Sequence, residues 1–183
     1  MTGDVNGPES DLIGESVNNA NARLRFFRLA FGVGTPDQLV RVSELAKTIN
    51  DFYNEDTFSV SLGAVENQTK TDAKLLLLLI LCCESGMARR GNVTISPALT
   101  ITCEAQKLPD EHPLWQALTT RSEWPAELSA AQVHYPLAKE TLKEMGLRLC
   151  FGRQNGKLSI WTEPEASNLT FSHEPSRHRQ QGT

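Results

Sequence analysis

Between Leu75 and Cys83 the chain runs through nine consecutive apolar residues, LLLLLILCC. A helix that is apolar on nearly every side cannot lie on a surface; it has to be covered on more than one face. Nine residues are also far too few to cross a bilayer, which takes about 20. The run therefore predicts a central core helix from Asp72 to about Met87, and a domain that wraps it. With 183 residues the chain is long enough for one such domain and an appendage.

The segments around this helix predict a small sheet. Phe58, Val60 and Leu62 alternate with Ser59 and Ser61, the period of a half-buried strand. Val65 to Thr71 reads as a loop. Arg89 to Asn92 is a turn, and Val93 to Cys103 is a strand or strand pair broken at Pro97. A short helix is expected around Leu114 to Leu118. Ser129 to Gln132 starts another, which Pro136 kinks or restarts and Gly146 caps. Leu147–Phe151 and Leu158–Trp161 flank Gly152–Gly156 as a hairpin. Upstream, Thr35-Pro36-Asp37-Gln38 reads as a capping box opening a helix with Val42, Leu45, Ala46, Ile49 and Phe52 on one face. The expected class is α/β, in a two-layer α+β arrangement. After Glu163 the composition turns polar, and Pro164 to Thr183 reads as a largely disordered tail.

A leading helix precedes all of this. Its apolar positions Ile13, Val17, Ala20, Leu24, Phe27 and Phe31 are spaced alternately four and three apart, which is an a/d heptad seam. Gly32 and Gly34 end it. Phe26 and Leu29 widen the apolar face toward the following chain. Arg23, Arg25 and Arg28 flank the seam, where their stems can lie on apolar surface while their heads stay wet. A lone helix of this length is marginal in water. The seam wants a partner, and only a short polar stretch precedes it. A second copy of the chain, or an upstream helix beyond Met1, is expected to supply one. Residues 1–34 thus read as a bundle unit, 35–163 as the α/β domain and 164–183 as the tail.

Composition narrows the chemistry. A net charge of −4 gives no basic field to hold a nucleic acid. The first twenty residues are polar, unlike a signal peptide. The four cysteines (Cys82, Cys83, Cys103 and Cys150) form no Cys-x-x-Cys pair and sit in apolar segments, as buried thiols of a reducing cytosol do. No ligand spacing suggests zinc. Of four histidines, His112 lies in a loop where its acidic neighbours should raise its pKa. His134 reads as a packing or capping residue at a helix start, and His173 and His178 fall in the tail. Glu84 is expected to reach the surface at the end of the core helix rather than to act as a buried base. No Ser-His-Asp or Cys-His arrangement has supporting context. No catalytic, metal or cofactor-binding residue is assigned.

Three segments carry a resemblance: SVNNANARLRFFRLAFG (Ser16–Gly32), KLLLLLILCCESGMARRGNVTIS (Lys74–Ser96) and AQVHYPLAKETLKEMGLRL (Ala131–Leu149). Together they resemble the bacterial ChpT-type histidine phosphotransferases, over about Leu12 to Glu163. The resemblance implies a homodimeric four-helix bundle, two helices per chain, joined to a degenerate histidine-kinase ATPase-like domain. It implies phosphoryl passage from a receiver aspartate to a histidine on the first bundle helix and on to a second receiver. The leading helix here matches the second bundle helix, so the phosphoacceptor helix is not in this sequence. An upstream in-frame stretch encoding a histidine-bearing helix would support this reading, and an immediate stop would contradict it. ATP binding is not expected. The positions that would carry Mg²⁺-holding asparagines fall near Leu78 and Cys82, and no Asp-x-Gly-x-Gly turn occurs. The implied partners are receiver domains of response regulators or of a hybrid kinase, with no nucleic acid, membrane or ATP, in the cytoplasm. Ile13, Val17, Leu24, Arg25, Phe27, Arg28 and Phe31 form the expected dimer or docking face. A non-catalytic dimeric adaptor is the alternative, and an ATP-dependent kinase a distant third.

Overall fold

The structure, a computed structural model, describes residues 8–32, 38–54, 57–120, 123–125 and 127–165. It opens with α1 (Pro8–Phe31), the leading helix, with acidic Glu9 and Asp11 in its first turn and Arg28 in its last. That placement suits the helix dipole at both ends. A two-residue strand β1 (Leu39–Val40) follows, then α2 (Val42–Phe52). The capping box expected at Thr35 lies mostly outside the described residues, and α2 starts seven residues after that threonine. Leu39 and Val40 are extended because they pair antiparallel with β3 (Gln68–Thr69), inside the stretch read as a loop.

The main sheet has five strands: β2 (Phe58–Leu62), β4 (Gly91–Ile95), β5 (Ile101–Glu104), β6 (Leu147–Gln154) and β7 (Lys157–Pro164). Their order is β2-β4-β5-β7-β6; β2 and β4 are parallel, the other pairs antiparallel. Phe58, Val60, Val93, Ile95, Ile101, Cys103, Leu158 and Ile160 are buried, while Ser59, Ser61, Asn92 and Thr94 between them are exposed. The sheet is therefore covered by helices on one face, and the expected α/β class holds.

The core helix is α3 (Lys70–Gly86). Thr69 caps it, its hydroxyl accepting from the Asp72 N–H at 3.1 Å. Leu75 through Cys83 are all buried, as an all-round apolar helix demands. The leading helix α1, a later helix at His134–Glu144 and the 3-10 turn at Pro109–Glu111 pack against it. Gly86 is needed there, because a Cβ would sit 2.7 Å from the Pro109 Cα. Leu78 and Cys82 are fully buried.

The short α4 (Pro113–Thr119) leads to a 3-10 turn at Ala130–Gln132, closed by a capping box from Ser129 and Gln132. Then α5 (His134–Glu144) ends at Gly146, at φ +64°. The hairpin turn is tighter than the sequence suggested. It comprises Asn155 and Gly156, at φ +52° and +75°, and pairing continues through Gly152 and Arg153. Two successive positive φ values are what a two-residue type I′ turn requires. Beyond Pro164 the Glu165 N–H donates to the Gly146 carbonyl at 2.8 Å. The segment read as a disordered tail lies, from residue 166 on, outside the described residues. No helix among them is long and apolar enough to cross a membrane.

Candidate functional site

Two faces of α1 do different work. Ala22, Phe26 and Ala30, spaced four apart, are buried against the domain. Phe26 is 0% exposed and stacks on Phe52 of α2, ring centroids 4.0 Å apart, with Tyr53 edge-on at 5.8 Å. The two alanines let the helix approach closely on either side of that ring. The heptad seam lies on other faces. Ile13 is 64% exposed, Val17 52%, Leu24 66% and Phe27 40%, with Leu12 beside them and Phe31 half-buried. Among the described residues, Phe27 meets the Phe52 ring at 5.5 Å and Phe31 packs on the core, while Ile13, Val17 and Leu24 stay exposed.

The three flanking arginines separate into roles. Arg25 reaches back to α2 and forms an ion pair with Asp51 at 2.7 Å. Lys47 joins Asp51 at 3.0 Å, and these two cations, Lys47 first, hold the Asp51 carboxyl below its ordinary range. The guanidinium of Arg23 lies 5.6 Å above the Phe52 ring. Arg28 is exposed near the end of α1. Of the expected docking arginines, Arg25 is thus committed to holding α1 on α2, and Arg28 stays at the surface beside the seam.

Neither described histidine sits on an exposed helix face. His112 is half-buried; its Nδ1 accepts from the Leu114 N–H at 3.2 Å and caps α4, and its ring stacks on Tyr135 at 5.3 Å. The expectation that neighbouring carboxylates raise its pKa is corrected. Asp110 and Glu111 are turned to Arg153, at 2.6 and 2.9 Å, and burial followed by the Lys107 charge pushes His112 down instead. His134 begins α5 and is buried, with its ring 4.7 Å from Tyr135. Burial, followed by His112, lowers its pKa to about 4. Its Nε2 has no hydrogen-bond partner among the described residues. The sign of the consequence follows. From pH 6.5 down to about 4 the unfolded chain takes up a proton that the folded one refuses, so stability present above pH 6.5 is lost as pH falls. After discounting for partial screening by solvent, the loss is roughly 2 kcal/mol. Thermal unfolding at pH 7 and pH 4.5 should show it, and His134→Gln should flatten the slope; an unchanged slope in that variant would assign the acid sensitivity elsewhere.

Glu84 accepts a hydrogen bond from the Tyr53 hydroxyl at 3.1 Å and has Arg89 at 3.9 Å. Burial first, and then this carboxylate, drives the Tyr53 hydroxyl pKa well up. Tyr53 and Glu84 meet across 31 residues of sequence, and no local pattern announces the pair. The thiols Cys82, Cys83 and Cys103 are free and buried, while Cys150 on the outermost strand is half-buried.

A helix with an exposed apolar seam packs on α2 and on the core helix α3, beside a mixed sheet covered on one face. A family model described as the histidine phosphotransferase C-terminal domain matches residues 42–157. The chain belongs to the histidine phosphotransferase family through that domain. Among solved structures it is similar to a bacterial phosphotransferase at 22% identity, covering 86% of this chain and 80% of that one, with a TM-score of 0.67. At that identity the likeness shows the fold. The histidine kinase domain of the Erythrobacter litoralis EL346 blue-light activated histidine kinase aligns at 12% identity over 86% of this chain and 82% of that one, with a TM-score of 0.39, too distant to argue from. No curated protein matches the sequence.

Proposed function

We propose that this chain is a receiver-binding phosphorelay protein of the ChpT type, acting in the cytoplasm. In this reading residues 1–34 form a bundle unit, with α1 pairing along its seam with a second copy, and the α/β domain follows from residue 35. Receiver domains of response regulators dock beside that bundle. The observation that carries the reading is an exposed apolar stripe, edged by Arg28, on a chain whose α/β domain is of the histidine phosphotransferase family. Receivers are acidic around their phosphorylated aspartate, and a cation beside apolar surface suits such a face in charge and shape. Arg28→Glu is expected to weaken receiver binding several-fold, mostly through slower association. Unchanged affinity by calorimetry removes Arg28 from the interface.

Phosphoryl transfer needs a histidine that can reach the receiver aspartate and attack in line. Of the two histidines among the described residues, His112 is spent on a helix cap and a ring stack, and His134 is buried. That observation favours a second reading, a dimeric adaptor that binds receivers without carrying phosphoryl. Incubation with a phosphorylated receiver separates the two. Acid-labile label on this chain means transfer, stable binding without label means adaptor, and no binding at all contradicts both.

A further inference from the structure

A cavity of about 840 Å³ lies where the end of α1 meets the domain. It falls within the size range of small-ligand pockets, about 300–1,000 Å³. Its apolar wall comes from Phe27 and Phe31 of α1, Phe52 at the end of α2 and Leu81 of α3. Its polar groups come from separate elements. Arg23 belongs to α1, and Arg89 to the turn after α3. Glu84 already accepts from Tyr53. His134 stands at the start of α5, the positive end of that helix dipole.

Two features set this cavity apart from an ordinary crease. Arg89 and Ala88 before it both hold positive φ, +59° and +52°, a conformation that side chains other than glycine adopt at a cost. His134 is 7% exposed, and its Nε2 is a buried polar atom with no partner among the described residues. A neutral imidazole with its other nitrogen protonated offers a lone pair there, so the ring carries an acceptor that nothing among the described residues uses. The low pKa keeps the ring neutral at physiological pH.

We propose that this cavity binds a small amphipathic organic anion: an apolar ring or chain against the phenylalanines, an acidic group toward Arg23 and Arg89, and an N–H or O–H donor to His134. Binding there would fasten α1 to the domain, because Arg23, Phe27 and Phe31 belong to one and the remaining walls to the other. The site needs no receiver; Phe27 and Phe31 also belong to the seam, so the variants at Arg23, Arg89 and His134, which lie off it, carry the test.

The dye anilinonaphthalene sulfonate has all three features, an aromatic body, a sulfonate and one N–H, and its fluorescence reports binding. Titrating it into the full chain should give one saturable site per chain. Arg23→Glu with Arg89→Glu should weaken that site about tenfold, as expected for loss of charge-assisted contacts. Arg89 is a surface side chain, so Arg89→Glu alone should fold and still weaken binding. His134→Phe, which keeps the volume and removes the acceptor, should also weaken it. Lys143→Ala, at the exposed end of α5 and outside the cavity lining, should leave it unchanged. Saturable binding that Ile13→Glu, on the seam, abolishes and the cavity variants leave intact would place the dye on the seam and overturn the proposal. The absence of saturable binding would overturn it equally.

Discussion

Phe26→Ala is expected to cost about 3–5 kcal/mol, the range for truncating a fully buried phenylalanine. The ring is 0% exposed and is the anchor of α1 on the domain, with Phe52 stacked on it at 4.0 Å and Tyr53 at its edge. Removing it takes away the apolar area and both aromatic contacts, and leaves a cavity between α1 and α2 that two stiff helices cannot close. Phe26→Leu should fall between the native chain and the alanine variant. Urea unfolding followed by far-ultraviolet circular dichroism measures both. A loss below about 1 kcal/mol, the size of a surface change, would mean that α1 is not held by this ring. Asp51→Ala, which cuts the exposed ion pair to Arg25, should cost far less.

Val17→Glu combined with Leu24→Glu should have the opposite profile, with little effect on the folded chain and a large one on association. Both side chains are more than half exposed in the single chain, so folding gains little from them. In a paired seam each buried apolar side chain contributes roughly 1.5–3 kcal/mol, and a charge placed there must be desolvated without a partner. Two substitutions repeated in two copies should therefore weaken association by a factor on the order of a thousand or more. Equilibrium sedimentation of native and variant chains, with thermal melts to confirm equal folding, reads the effect. Equal association of the two would remove the seam from any interface.

The fold was legible in the sequence wherever one periodicity ruled a segment. The nine-residue apolar run could only be a core helix, and Phe58 to Leu62 alternated cleanly. The failures share a cause, which is partners distant in sequence. Leu39–Val40 looks like part of a helix until Gln68–Thr69 lies beside it. Gly152 is a conspicuous breaker, yet it sits within β6, where an added Cβ would meet the Trp161 ring at 3.6 Å, and Asn155-Gly156 makes the turn. At α1 the seam was visible as spacing. The burial of Ala22 and Ala30 beside Phe26 was not, since alanine signals little until a neighbour is known. The grouping of Arg23, Glu84, Arg89 and His134 around one cavity had no local signal at all. The carboxylates adjacent to His112 in sequence belong, in the fold, to Arg153, which adjacency alone does not reveal.

The central claim is that the exposed stripe on α1 is a surface for a second copy of this chain. The molar mass of the unmodified chain, by light scattering across a concentration series, tests it most directly. The expected result is a species of twice 20.3 kDa that dissociates on dilution. A folded species of 20.3 kDa at every concentration, with Ile13, Val17 and Leu24 facing water, would contradict it.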